Sequence, residues 1–180
     1  MHIPSLDQKV HKTPHFAFKK ITTADLPILF AWFKEPHVYK WWPTLEENEL
    51  LEKFLQRIRS KDTFGYLVFL NNHPIGYLQY YYIDRSNEKA GSWLPPLPDT
   101  TIGTDQFIGN PEYIGKGYGT LFIKQFIQEL PTIESRITTI ILDPDPTNTA
   151  AIKCYEKVGF IPVGIYETPW GQALLMRYDI

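Results

Sequence analysis

The chain has 180 residues, 43% of them hydrophobic, 21% charged and 15% aromatic, which suffices for one well-filled core and is short for two. A net charge of -2 at pH 7 gives no broad basic field, so nucleic acid and anionic membranes are poor candidates for the main partner. A single cysteine, Cys154, rules out an internal disulfide framework, and no stretch approaches the roughly 18 to 20 apolar residues that span a bilayer, so a cytoplasmic setting is expected.

Residues 1–15 are polar and without periodicity, which predicts a flexible N-terminal arm ahead of one domain over residues 16–180. Phe16 to Ile21 alternates like a half-buried strand. Leu26, Leu29, Phe30 and Phe33 then recur at helical spacing, with Pro27 tolerable in a first turn. Thr44-Leu45-Glu46-Glu47 has the form of a capping box, and Leu51, Phe54, Leu55 and Ile58 continue it as a helix to about Ser60. Thr63 to Leu70 and Pro74 to Ile83, joined at Asn71-Asn72, read as an antiparallel hairpin. Thr100 to Ile108 is a further strand. Gly115 to Gly119 opens a helix whose buried side carries Phe122, Ile123, Phe126, Ile127 and Leu130. Ile137 to Leu142 suits a central strand and Thr147 to Val158 a short helix. Phe160 to Ile180 gives two strands meeting near Pro169-Trp170-Gly171.

The chemistry concentrates in Gly115-Lys116-Gly117-Tyr118-Gly119-Thr120, a loop leading from a strand into a helix. Bare amides and the positive end of the helix dipole converge there, which suits a phosphate. Glycine keeps side chains out of the anion's way and permits positive φ angles. Lys116 is followed by Gly117 where a Walker loop needs Ser or Thr, and G-x-G-x-G is not the dinucleotide fingerprint, so neither nucleotide fold fits. The five His residues (2, 11, 15, 37 and 73) show no metal-ligand pairing, and no metal is expected.

Ile114-Gly115-Lys116-Gly117-Tyr118-Gly119 resembles the pyrophosphate loop of the GCN5-related N-acetyltransferases, with Ile114 where that family has Arg or Gln. Asn148 to Phe160 is similar to that family's helix-and-turn segment beside the thiol of CoA. Trp41-Trp42, Pro74-Ile75-Gly76-Tyr77, Gly103-Thr104-Asp105-Gln106-Phe107-Ile108-Gly109 and Leu142-Asp143-Pro144-Asp145-Pro146-Thr147-Asn148 resemble, within it, the aminoglycoside 6'-N-acetyltransferases. The resemblance implies an α/β (α+β) domain with a mixed, mostly antiparallel sheet of about six or seven strands, flanked by helices and splayed between the fourth and fifth. It implies acetyl-CoA as donor, held by Gly115, Lys116, Gly117, Tyr118, Gly119, Thr120 and Asn148, with backbone amides at Phe107 and Ile108 along the pantetheine arm.

An ammonium about two units from its pKa at neutral pH costs about 3 kcal/mol to deprotonate, so a general base is useful. Asp105 is the candidate, directly or through water; otherwise it is a turn aspartate. Asp143 either clamps a substrate ammonium or caps the helix starting near Asn148. Tyr155 matches the family's tyrosine that gives a proton to the departing thiolate, though its spacing also fits a helix core face. Trp42, Tyr80 and Trp93 are expected on the acceptor side, where rings stack on a sugar or a cation, unless they are simply core. Cys154 has no accompanying His motif and reads as a buried thiol, so transfer is expected by direct attack in a ternary complex.

Where the resemblance leads one to look for further carboxylates, this chain has Lys89-Ala90-Gly91-Ser92-Trp93 and Pro169-Trp170-Gly171. The acceptor is therefore a small-molecule amine, either aminoglycoside-like or smaller: a polyamine, lysine or N6-hydroxylysine. The rival from another class is a non-catalytic acyl-CoA sensor. A monomer or homodimer is expected.

Overall fold

The hairpin at Asn71-Asn72 shows how local chemistry sets the architecture. Both residues have positive φ, 50° and 63°, a pairing that asparagine tolerates and that matches the twist of flanking strands. The computed structural model describes residues 13–42, 46–84 and 92–180. In chain order they form β1 (Phe16–Lys20), α1 (Leu26–Phe33), α2 (Pro36–Tyr39), α3 (Glu47–Arg59), β2 (Thr63–Leu70), β3 (His73–Tyr82), β4 (Thr101–Ile108), α4 (Tyr118–Ile133), β5 (Thr139–Leu142), α5 (Thr149–Val158), β6 (Ile161–Thr168) and β7 (Gly171–Asp179).

The strands make one sheet in the order β1-β2-β3-β4-β5-β7-β6, antiparallel throughout except for β4 beside β5. One face packs against α4 and α5, with Leu78, Tyr80, Ile102, Phe122, Phe126 and Leu130 at its centre. The other packs against α1 and α3 through Leu29, Phe33, Phe54, Leu67 and Tyr77. The alternation of side chains along β3 and β4 therefore decides which layer each residue joins.

The parallel pair is short. Thr101, Ile102 and Gly103 pair with Thr139, Ile140 and Ile141, and there the ladder stops. Beyond it β4 stays with β3 as far as Ile108, while β5 stays with β7 as far as Leu142. The two strands diverge, which leaves the β5-side edge of Thr104 to Ile108 without a ladder partner.

Three local differences from the expected elements have physical causes. Pro36 starts α2, a single turn after α1 that its four residues were too short to announce by periodicity. The Asp25 carboxylate accepts from the Thr22 amide and hydroxyl, both at 2.9 Å, and makes a 3-10 turn ahead of α1. Helix α3 begins at Glu47 behind Glu46, which makes no side-chain capping bond; Thr44 and Leu45 of the expected capping box lie outside the described residues. Residues 1–12 of the expected arm also lie outside them, as do Lys89, Ala90 and Gly91. No helix among the described residues is long and apolar enough to cross a membrane.

Candidate active site

At the start of α4, Gly115 and Gly117 have φ of +72° and +80°, and a Cβ added to either would meet nothing within 4 Å. Gly117 is the N-cap of this 16-residue helix and offers no side chain to its amides. The N–H groups of Tyr118, Gly119 and Thr120 thus have no carbonyl within the helix and stand beside open space. Gly119 faces the neighbouring helix instead, where an added Cβ would lie in ordinary contact, 3.6 Å from Cys154 Sγ of α5. The cradle can hold a diphosphate by amide hydrogen bonds and helix dipole together.

Gln79 pairs across the ladder with Asp105, Tyr81 with Gly103 and Tyr77 with Phe107, so these six share the face that looks toward α3. Gln79 is buried. It accepts from the Tyr77 hydroxyl at 2.9 Å and donates from Nε2 to Asp105 Oδ2 at 2.7 Å. Gly103 makes room for Tyr81, whose ring would lie within 2.6 Å of any added Cβ. Burial pushes the Asp105 carboxyl above its usual value, while Arg57 of α3, the Gln79 bond and Lys53 pull it back down. Asp143 stands two positions past the last ladder partner of Gly103, across the diverging strands. Its carboxyl is pushed up to about 7 by burial and then by the Asp105 charge.

The opposite face carries Thr104 and Gln106. The Gln106 Nε2 donates to Tyr155 Oη at 2.8 Å, and its Oε1 receives the Thr104 hydroxyl at 3.1 Å. With Oη already accepting from Gln106, the phenol's own hydrogen points elsewhere. Burial raises the Tyr155 pKa far above its usual value, so the hydroxyl stays protonated and can serve only as a donor of that hydrogen. Carboxylates and phenol thus flank the open strand edge from opposite sides of one sheet.

A family model described as an acetyltransferase (GNAT) domain matches residues 22–168. The aminoglycoside N(6')-acetyltransferase type 1 of Klebsiella pneumoniae is 34% identical over 163 residues, covering 87% of this chain and 79% of that protein. The chain belongs to the GNAT acetyltransferases. A crystal structure of aminoglycoside acetyltransferase AAC(6')-Ib in complex with coenzyme A and kanamycin superposes with a TM-score of 0.82 at 31% identity, covering 92% of this chain and 95% of that one. The lysine N-acyltransferase MbtK of Mycolicibacterium paratuberculosis is 23% identical over 173 residues, 94% of this chain and 76% of that protein. This acetyltransferase takes its acetyl group from acetyl-CoA, and the space around Gly115 and Gly117, where an added Cβ would meet nothing within 4 Å, leaves room for the coenzyme's diphosphate.

Within the acetyltransferase, Lys116 is exposed on the rim of the cradle, and Tyr118 packs edge-on against Phe16 at 6.3 Å. Asn148 caps α5, its side-chain oxygen accepting from Ala151 N at 3.2 Å. Because Asn148 caps α5 and Asp145 holds Thr147 N at 2.7 Å, Asp143 is left with no helix end to cap. Phe107 lies on the Asp105 face with Trp42 edge-on to it at 5.2 Å. The Ile108 carbonyl accepts from His37 Nε2 of α2 at 2.9 Å, which occupies that acceptor and leaves the strand's amides free of this contact. Trp93 is half-buried against Tyr166 at 6.1 Å.

Tyr80 is a correction. It is 2% exposed, stacked on Phe64 at 4.8 Å beneath α4, because its position in β3 faces away from Asp105. The ring on the carboxylate side is its neighbour Tyr81. Cys154 is half-buried, its Sγ 3.3 Å from Thr120 Oγ1, and burial pushes its thiol up, which disfavours a nucleophilic thiolate. Sequence reasoning missed Gln79, Arg57 and Lys53. Its available signal was parity: Gln79 sits between Tyr77 and Tyr81 on one face of β3, and Arg57 interrupts the apolar stripe of α3 three residues after Phe54.

Proposed function

We propose that this acetyltransferase acetylates a primary amine of a cationic small molecule, aminoglycoside-like in class. The observation that carries the reading is the open edge of β4, flanked by Asp105 and Asp143 on one face and by the Gln106-held hydroxyl of Tyr155 on the other. Two relatives support it, since the Klebsiella protein is named for aminoglycosides and the superposed structure holds kanamycin.

Acetyl-CoA, when bound, supplies an acetyl group activated as a thioester. The amides of residues 117–120 hold its diphosphate, and the amides near Phe107 and Ile108 receive the pantetheine arm along the unpaired edge. The carboxylate pair attracts the ammonium and takes its proton, work worth roughly 10² to 10⁴ in rate. Tyr155 gives the hydrogen on Oη to the departing sulfur. A thiol of pKa about 8.5 leaves well unaided, so Tyr155→Phe is expected to slow turnover about 10- to 100-fold while leaving coenzyme A affinity unchanged. Thiol release and calorimetry on the same preparation measure the two quantities.

A smaller acceptor is the second reading. Arg57 and Lys53 stand beside Asp105 and weaken the field that would hold a polycation, and the lysine N-acyltransferase is also a relative. Thiol release from acetyl-CoA with kanamycin, spermidine, lysine and N6-hydroxylysine decides between them. Kanamycin is expected to give the highest kcat/KM; lysine or N6-hydroxylysine in first place would transfer the assignment to amino-acid acylation. Coenzyme A binding without turnover on any amine would leave a non-catalytic acyl-CoA sensor, a reading that a phenol held for donation argues against. We further propose that the chain acts as a monomer or homodimer.

A further inference from the structure

The open edge of β4 carries a defined set of backbone groups, fixed by the pairing on its other side. Gly109 N donates to the Ile75 carbonyl at 2.9 Å, and the register that sets Ile108 opposite Gly76 sets Gly109 opposite Ile75. Bonded and non-bonded pairs alternate along an antiparallel ladder, so Phe107 with Tyr77 and Asp105 with Gln79 are bonded pairs. Gln106 and Ile108 therefore turn both N–H and C=O away from β3, toward the side that β5 has left. The same phase holds at the other end of the strand, where the Thr100 carbonyl accepts from Thr138 N on the β5 side at 3.2 Å. Among the described residues one side chain is bonded to the backbone of this open edge: half-buried His37 of α2, whose Nε2 lies 2.9 Å from the Ile108 carbonyl. A carbonyl oxygen only accepts, so Nε2 carries the hydrogen.

We propose that His37 is a positioning residue for the coenzyme: it pins the end of this edge, so that the Gln106 and Ile108 amides are already in place when the pantetheine arm arrives. An edge with no ladder partner is free to fray, and a ligand that must order it loses affinity in doing so. The corner of α1 and α2 is built to hold it still. Trp41 N and Trp42 N both close on the Val38 carbonyl, at 3.1 and 3.0 Å, and Trp42 meets the Phe107 ring at 5.2 Å. From α1, Trp32 lies against Gly109, where an added Cβ would run into its indole. The corner thus grips β4 at a ring, a glycine and a carbonyl, and only the carbonyl belongs to the open edge. By occupying the Ile108 carbonyl, His37 leaves the arm's own amides the carbonyls further along the strand, which fixes the register of the arm and with it the place of the thioester. This rests on the reading that the arm lies along β4, and it holds whichever amine is the acceptor.

The test compares two ligands on the full chain by calorimetry: coenzyme A, and 3′-phospho-ADP, which carries the same diphosphate and no arm. His37→Leu is expected to raise the Kd of coenzyme A about tenfold and to leave that of 3′-phospho-ADP within about twofold of wild type. His37→Gln, whose amide nitrogen stands near the reach of Nε2, is expected to bring coenzyme A affinity back to within about threefold of wild type; His37→Asn falls short of the carbonyl and is expected to behave like His37→Leu. In the wild type, the amide protons of Gln106 and Ile108 should gain protection from exchange on binding coenzyme A and not on binding 3′-phospho-ADP. Unchanged coenzyme A affinity in His37→Leu overturns the proposal, as does an equal loss for both ligands, which would mark a general loosening of the fold. Should His37→Leu not fold, the contrast between the Gln and Asn variants decides, and equal affinities in those two overturn it. Equal wild-type affinity for the two ligands, with neither amide protected, takes the arm off β4 and the proposal with it.

Discussion

Gly117→Val is expected to abolish measurable coenzyme A uptake while the chain still folds. The φ of +80° at this position costs a branched L-residue about 1 to 2 kcal/mol, and the added methyls meet no protein atom within 4 Å of the Cβ. The fold thus loses little, and Tm should drop by about 2 to 8 °C. Binding suffers more, because the new side chain fills the space that the first amides of α4 face. Losing two amide bonds to a charged phosphate costs about 3 to 6 kcal/mol, or at least a hundredfold in Kd. Lys124→Ala is the control, since Lys124 is exposed on the same helix outside the loop and its loss leaves every amide in place. Calorimetry with coenzyme A and a thermal melt of each variant separate binding from folding. Retention of near wild-type affinity by Gly117→Val would move the diphosphate away from this loop.

Phe122→Ala is expected to produce the largest loss of stability, about 3 to 5 kcal/mol by cavity formation. Phe122 is 1% exposed, sits in the second turn of α4 and meets Phe16 of β1 edge-on at 6.1 Å. Its removal loosens the helix that carries the phosphate cradle from the sheet that carries the chemistry. Against a total stability of about 5 to 15 kcal/mol, a loss of that size lowers the urea midpoint substantially. Ile161→Ala, at a position 70% exposed on the edge strand β6, is expected to stay within about 0.5 kcal/mol of wild type. Equilibrium urea unfolding followed by tryptophan fluorescence compares the two; similar midpoints would mean that α4 is not anchored through Phe122.

The glycine loop, the helix stripes and the Asn71-Asn72 turn were legible in the sequence because each depends on residues within one or two turns of chain. The φ requirement at Gly117, the apolar period from Phe122 to Leu130 and the paired αL positions at 71 and 72 are local constraints that residue type expresses directly. Asp105, Asp143 and Tyr155 were legible as candidates for the same reason, through the short segments that resemble the family. The α2 turn was not, since four residues carry too little period to read.

What the tertiary structure decided is which groups face one another. A strand sends neighbours to opposite layers, so Tyr80 went to the core under α4 and Tyr81 to the carboxylate side, a choice that depends on the register of β3 against β4. Gln79 reached Asp105 across 26 positions of sequence, and Gln106 reached Tyr155 across 49. The sequence by itself determined the glycine loop, the longer elements and the acetyltransferase class, because glycine placement and hydrophobic period act over short range. The electrostatic partners of the two carboxylates, Arg57 and Lys53 among them, were settled only by long-range pairing, since a charge responds to whatever the fold brings near it in space.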